Sequence, residues 1–314
     1  MPGARGAYDH YGAPALGPEL ASPAVPSPDS GPSRPDAAPD GADDAPNADG
    51  SADVELLRSL IGPRPLGDDR FTIDISAHVE GHLFGGLVAA QALHAAYATV
   101  DGARHVQSAH AYFLRRGRPE LPIEFQVHRD TDGRSFSARH VAAAQEGSPI
   151  FRMICSFHVP EPTAEVLQPM PAVVPPPTSM VVETVNSLGD CFEVRRAVVA
   201  GTEPLERRST GRLWARAAGP LPDDPILHDC LLFYVSDLGS PWNMEAPAHL
   251  KVLTSLDHAV WLHHRTRMDE WHYIDLEPGS LADARALYAG RVWRHDGTHV
   301  ASIAQENLVR PSAE

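Results

Sequence analysis

The chain has 314 residues, 43% of them hydrophobic, and a formal charge of −15. That length supports one large core or two core-sized halves. No run approaches the roughly 18 consecutive apolar residues of a membrane-spanning helix, and no basic stripe interleaved with aromatics marks a nucleic-acid surface.

The first residues, MPGARGAYDHYGAP, hold no apolar stretch of signal-peptide length. Cys155, Cys191 and Cys230 are scattered without CxxC spacing. A cytoplasmic protein with reduced thiols is therefore expected. Much of the negative charge is local: residues 1–54 carry nine acidic residues against Arg5 and Arg34, a net of −7. Ten of the thirty prolines fall in the first fifty residues. Such a segment cannot bury enough apolar surface to offset its ordering entropy, so a disordered acidic Pro/Ala-rich tail is expected over 1–54.

Ordered structure is expected from ADVELLRSLIG, a short amphipathic segment, followed by strand-like alternation in RFTIDIS (70–76). FGGLVAAQALHAAYATV (84–100) is apolar or small on every face, the pattern of a buried helix. Four strands follow over 106–116, 122–130, 134–145 and 149–159, with turn pairs at Asp132-Gly133 and Glu146-Gly147. Residues 160–180 are proline-rich and read as a connector. FEVRRAVV and GRLWARAA (211–218) look like strands. DDPILHDCLLFYVSD (223–237) is a second buried helix, with Asp224 as N-cap and Pro225 at its first position. Strands are then expected at 254–264, 271–277, 284–295 and 299–309, with Asp296-Gly297 turning the last pair.

The halves echo each other. HAYFLRR at His110 and HAVWLHH at His258 follow their helices, and the distances to the turn glycines Gly147 and Gly297 are 37 and 39 residues. Duplication of one helix-plus-sheet unit explains this; two unrelated α+β domains with similar hairpins is the alternative.

LTSLDHAVWLHH (253–264) raises the question of a local Ser255–Asp257–His258 triad. In an extended strand alternate side chains face opposite ways. Ser255 and Asp257 then share a face and His258 points away, so no local triad is expected. Asp237 ends an apolar helix and reads either as a solvated terminus or as a carboxylate whose charged form is disfavoured, suiting a base. Gln305 lies on the strand face of Ala301, Ile303 and Val309. There its amide is either satisfied structurally or holds a water or a carbonyl. Gly85 and Gly86 allow either close helix packing or helix-start amides that bind a carbonyl or phosphate. Arg115, Arg116, Arg118, Arg134 and Arg139 are either a solvated strand edge or a basic patch for phosphates. His258, His263, His264 and His272 show no metal-ligand spacing, and no metal is expected.

LFGGLVAAQAL, HAYFLRRG, GRSFSARHVAA, LPDDPILHDCLLFYVSDL, SLDHAVWLH, DEW and VASIAQENLVR run in order from about residue 55 to 310. With these motifs the chain resembles the type II acyl-CoA thioesterases of double hot-dog fold. The resemblance implies an α+β chain of two antiparallel sheets, each wrapped around a central helix. It places an N-terminal hot-dog at 55–160, a Pro-rich connector at 161–190 and a C-terminal hot-dog at 191–312. It further implies that Asp237, Ser255 and Gln305 hold and activate a water for hydrolysis of fatty acyl-CoA, without metal, organic cofactor or covalent acyl-enzyme. Gly85, Gly86 and Arg134 are the candidate substrate contacts. The expected partners are the acyl-CoA substrate and further copies of the chain in a homo-oligomer, with no nucleic acid and no membrane insertion.

The sequence departs from the family pattern at Leu87, where glutamine is usual, at Ser255, often threonine, and at Arg116 and Arg118, usually proline and aspartate. Leu87 and Ser255 keep a non-catalytic acyl-CoA-binding shell as one alternative. His82 in HLFGG supports an enoyl-CoA hydratase-like enzyme as another, although the expected carboxylate beside it is missing.

Overall fold

The computed structural model describes residues 54–79, 81, 83–183, 191–198 and 209–312. Apart from Val54, the expected acidic tail lies outside them, as does His82. Helix α1 (Val54–Ile61) turns Leu57, Leu60 and Ile61 inward at helical spacing. A hairpin not foreseen from the sequence follows, β1 (Arg64–Gly67) and β2 (Arg70–Ile73), with Asp68 and Asp69 at φ of 53° in its turn. Helix α2 (Gly85–Tyr97) is buried almost all round. After it come β3 (His105–Phe113), β4 (Ile123–Asp132), β5 (Phe136–Gln145) and β6 (Ser148–His158), the four strands expected.

The connector contains a 3-10 turn at Pro177–Ser179 and the strand β7 (Val181–Glu183). It is docked rather than free. Trp214 Nε1 donates to the Pro175 carbonyl at 2.9 Å and Trp293 Nε1 to that of Gln168 at 3.0 Å. Met170 and Val174 pack on a small core of Met180, Trp214, Tyr273 and Trp293.

The second half comprises β8 (Phe192–Val198), β9 (Ser209–Ala217), α3 (Pro225–Ser236) and the short α4 (Trp242–Glu245). Strands β10 (Leu250–Ser255), β11 (Asp257–Leu262), β12 (His272–Ala282), β13 (Arg285–Arg294) and β14 (His299–Pro311) complete it. Asp224 caps α3, accepting from Leu227 N at 3.2 Å, with Pro225 at the first turn.

Outward from the middle, the strand order is β3-β6-β5-β4-β2 on one side and β11-β14-β13-β12-β9 on the other. The same sequence of elements, strand–helix–four strands, thus gives the same order twice, as the matched spacing predicted. The two expected sheets do not stay apart. Strands β3 and β11 pair antiparallel, Ala111 opposite His258, and make one continuous sheet of fourteen strands.

Helix α2 packs on β4, β5 and β6 and against α3. The two helices run antiparallel: the start of α2 meets the end of α3 at Gly86 and Asp237, and the end of α2 meets the start of α3 through Tyr97 and Asp229. A Cβ on Gly86 would lie 2.8 Å from the Tyr234 carbonyl oxygen, so only glycine lets the backbones come this close.

Candidate functional site

Three distant elements converge where α2 begins. Asp237 is the C-cap of α3, Ser255 ends β10 and Gln305 sits inside β14. Gln305 Nε2 donates to Asp237 Oδ1 at 2.9 Å and to Ser255 Oγ at 2.6 Å, and Ser255 Oγ lies 3.5 Å from the same carboxylate oxygen. Asp237 is 7% exposed and Gln305 2%.

Burial pushes the Asp237 carboxyl above the usual carboxylate range, opposed by His258, Gln305, the Gly86 amide and Ser255. The helix-end argument from sequence is only half of the electrostatics. Asp237 stands at the negative end of α3 but also at the positive start of α2, whose N-cap Phe84 supplies no side-chain bond. The carboxylate of one helix thus caps the other.

The floor is aromatic: Phe84 and Tyr234 meet edge-on at 5.2 Å, and a Cβ on Gly85 would come within 2.6 Å of Phe113. Gly85 and Gly86 therefore belong to the same place as the three polar residues. Arg134 does not. It lies in the β4–β5 turn, whose carbonyls accept from Arg104 just beyond the far end of α2, about 20 Å away along that helix.

Of the other arginines, Arg139 is 1% exposed and bonded to Thr99, Thr131, Ala138 and Asp132 inside the first half. Arg118 pairs with Glu146. Arg115 and Arg116 are exposed, in the loop after β3 where Gly117 packs on Leu83, at the Gly85 end.

The strand-alternation argument about His258 fails, and the cause is a bulge. Ser255 pairs with Asn307 and Ala259 with Ala304, so four steps on one strand face three on β14. The extra residue is absorbed around Leu256, whose N–H donates to Glu306 and whose carbonyl accepts from Phe113. His258 is thereby turned inward, fully buried, beside Gln305 rather than away from it. The three neighbours still form no local triad. Ser255 bonds Gln305 and Asp237, Asp257 accepts from the Glu306 amide at 2.7 Å, and His258 bonds Ser236 at 2.7 Å. Neither the inward His258 nor the Gly86 contact had a local signal; both arise from pairing with distant chain.

All three cysteines are buried, and Cys155 and Cys230 are free. Among the described residues no group of three or more His, Cys, Asp or Glu side chains could hold a metal ion.

The chain matches two family models: the acyl-CoA thioesterase N-terminal domain over residues 75–158 and the acyl-CoA thioesterase C-terminal domain over 164–309. Acyl-coenzyme A thioesterase 8 of Homo sapiens is 33% identical over 285 residues, spanning 81% of this chain and 89% of that protein. Acyl-CoA thioesterase 2 of Haemophilus influenzae is 32% identical over 251 residues, spanning 73% and 87%. The crystal structure of an acyl-CoA thioesterase II from Mycobacterium marinum has a TM-score of 0.68 at 34% identity, covering 82% of this chain and 99% of its own. A hot-dog-fold protein from Alicyclobacillus acidocaldarius, covering 82% and 98%, gives 0.65 at 15% identity and so speaks for the fold alone. The fold is that of the hot-dog thioesterases. Over both its halves, the chain belongs to the type II acyl-CoA thioesterase family.

Proposed function

We propose that the protein hydrolyses fatty acyl-CoA to a free fatty acid and coenzyme A with one water held by Asp237, Ser255 and Gln305. The observation that carries this reading is a single amide, Gln305 Nε2, donating at once to a buried carboxylate and to a hydroxyl from another strand. Asp237 takes a proton from the water as its oxygen attacks the thioester carbon. When the C–S bond breaks, that proton goes to the departing sulfur. Burial gives Asp237 the higher proton affinity a general base needs, and the start of α2 offers the Gly85 amide to the developing oxyanion. Arg115 and Arg116, exposed at the same end, suit the phosphates of coenzyme A better than Arg134.

In this reading the chain is a double hot-dog, with halves at 55–160 and 191–312 joined by the connector at 161–190. The repeated strand order and the two domain matches support it. The test is thiol release from a panel of acyl-CoAs. Asp237→Asn should lower kcat by at least about a hundredfold, the loss expected for a general base. Tight acyl-CoA binding without thiol release at any chain length would instead indicate a binding shell, and hydration of an enoyl-CoA would indicate the hydratase.

A further inference from the structure

His258 is an ionisable group at the site that the hydrolytic scheme does not use. It is fully buried, and continuing the β11–β14 register by one pair from Ala259–Ala304 sets it directly beside Gln305. Its tautomer follows from a neighbour. The Ser236 hydroxyl has one proton, and Ser236 Oγ donates it to the Phe233 carbonyl at 2.8 Å. Ser236 Oγ must therefore accept from His258 Nε2, 2.7 Å away, so Nε2 carries a proton and Nδ1 is the atom that gains or loses one.

Nδ1 is buried without a hydrogen bond of full geometry, and so is Gln305 Oε1. Leaving two such atoms unmet is costly, because each has given up its water without a replacement. One proton resolves both. Placed on Nδ1, it would be donated to Gln305 Oε1 with Asp237 ionised, and the amide NH2 then faces Asp237, the one part of this arrangement that the structure shows directly. Placed on Asp237, it is donated to Oε1 of the turned amide, whose NH2 then meets a neutral Nδ1. The two arrangements contain the same number of protons.

We propose that His258 is a positioning residue that shares one proton with Asp237 across the Gln305 carboxamide. Holding that proton leaves Asp237 charged and Gln305 aimed at Ser255; giving it back neutralises the pair. The groups facing the imidazole are consistent with this. Burial is the largest influence and holds the imidazole below the usual histidine range, and it is opposed by Asp237 from the end of α3, Gln305 from β14 and Asp257 from its own strand, which favour the protonated ring. Tyr288 from β13 faces Asp237, and its phenol is kept neutral by burial. From β3 the neighbour is Ala111, which carries no charge.

This inference rests on the hydrolase reading for its effect on rate but not for its structural test. His258→Gln can keep the Ser236 bond and cannot take a proton. In the folded variant kcat should fall by up to about a hundredfold with little change in KM. The acid limb of the kcat profile should move up by about one pH unit or more, because Asp237 loses its neighbouring cation. A fall in kcat with the limb unmoved, or no change in either, would overturn the proposal. If His258→Gln does not fold, or the wild type releases no thiol, imidazole 15N signals of the otherwise unaltered protein and of Asp237→Asn decide it. His258 Nε2 should be protonated throughout, and Nδ1 should titrate at lower pH in Asp237→Asn. An Nδ1 that titrates identically in both would sink the idea whatever the enzyme's activity.

Discussion

The two ends of the antiparallel helix pair are equivalent by the internal repeat, yet they hold opposite chemistry. At one end, Asp237 of α3 meets the start of α2 beside Ser255 and Gln305. At the other, the end of α2 is closed by Arg139, whose guanidinium donates to both oxygens of Thr99, to the Thr131 and Ala138 carbonyls and to Asp132. Counted from the turn glycines Gly147 and Gly297, Cys155 stands where Gln305 does, and Arg139 where Ala289 does. One copy fills its interior with a cation whose donors are spoken for. The other leaves a buried carboxylate among groups that are not all satisfied. A fully paired polar cluster stabilises; one whose pairing depends on where a proton sits can change partners.

The sharpest way to break this contrast is Arg139→Met. It removes the guanidinium donor from the Thr99, Thr131 and Ala138 carbonyls, leaves Asp132 with the Ser137 hydroxyl, and should cost about 3 to 5 kcal/mol in denaturant unfolding, while kcat per folded molecule stays the same. A loss of kcat without loss of stability would show that the closed end takes part in turnover.

Next in size is a pH effect at that end. Asp229 is buried against the Tyr97 hydroxyl at 2.5 Å, and burial raises its carboxyl to about 6. A folded-state value above the unfolded one means the native state binds the extra proton. The contribution is fully present below about pH 4 and is lost as pH rises through about 6, by up to about 3 kcal/mol. Asp229→Asn keeps an acceptor for Tyr97, so the difference in unfolding free energy between variant and wild type should grow over that window.

At the open end the effects are smaller. Gly86→Ala puts a methyl 3.0 Å from Asp237 Cβ and 2.8 Å from the Tyr234 carbonyl. It should lower kcat about tenfold by displacing the carboxylate. Ser255→Ala removes the hydroxyl that meets Gln305 and Asp237 and, on the proposed mechanism, should also cost up to about tenfold. Ser255→Thr, which keeps the hydroxyl, should stay within about twofold of wild type in the same assay, since no transition-state contact is removed.

How much of this was legible in the chain depended on range. The two buried helices were plain because their residues are apolar on all faces, and the Asp-Gly and Glu-Gly pairs marked their turns. The β12–β13 turn was not marked. Asp283 and Ala284 adopt φ of 49° and 60° without a glycine, so no composition signal separates the strands. The break between Ser255 and Asp257 was hidden for another reason: alternation arguments assume an unbroken strand, and the bulge exists only through pairing with β14. The gathering of Asp237, Ser255 and Gln305 came from resemblance to a family. Residue chemistry alone left Asp237 as readily a solvated helix end. The cap that Asp237 provides for α2, and the stacking of the connector on Trp214 and Trp293, are contacts between segments that nothing local brings together.

The β3–β11 pairing has a consequence for how the molecule assembles. Ala111 and His258 are partners across a junction that almost half the chain must be folded back to form. Closing so large a loop is slow because its entropy must be lost before the contacts repay it. Refolding after dilution from urea should therefore begin with each half condensing alone, and the cluster around Asp237, which needs the start of one half's helix and the end of the other's, should recover last. Split halves expressed from separate genes would regain it only by finding each other.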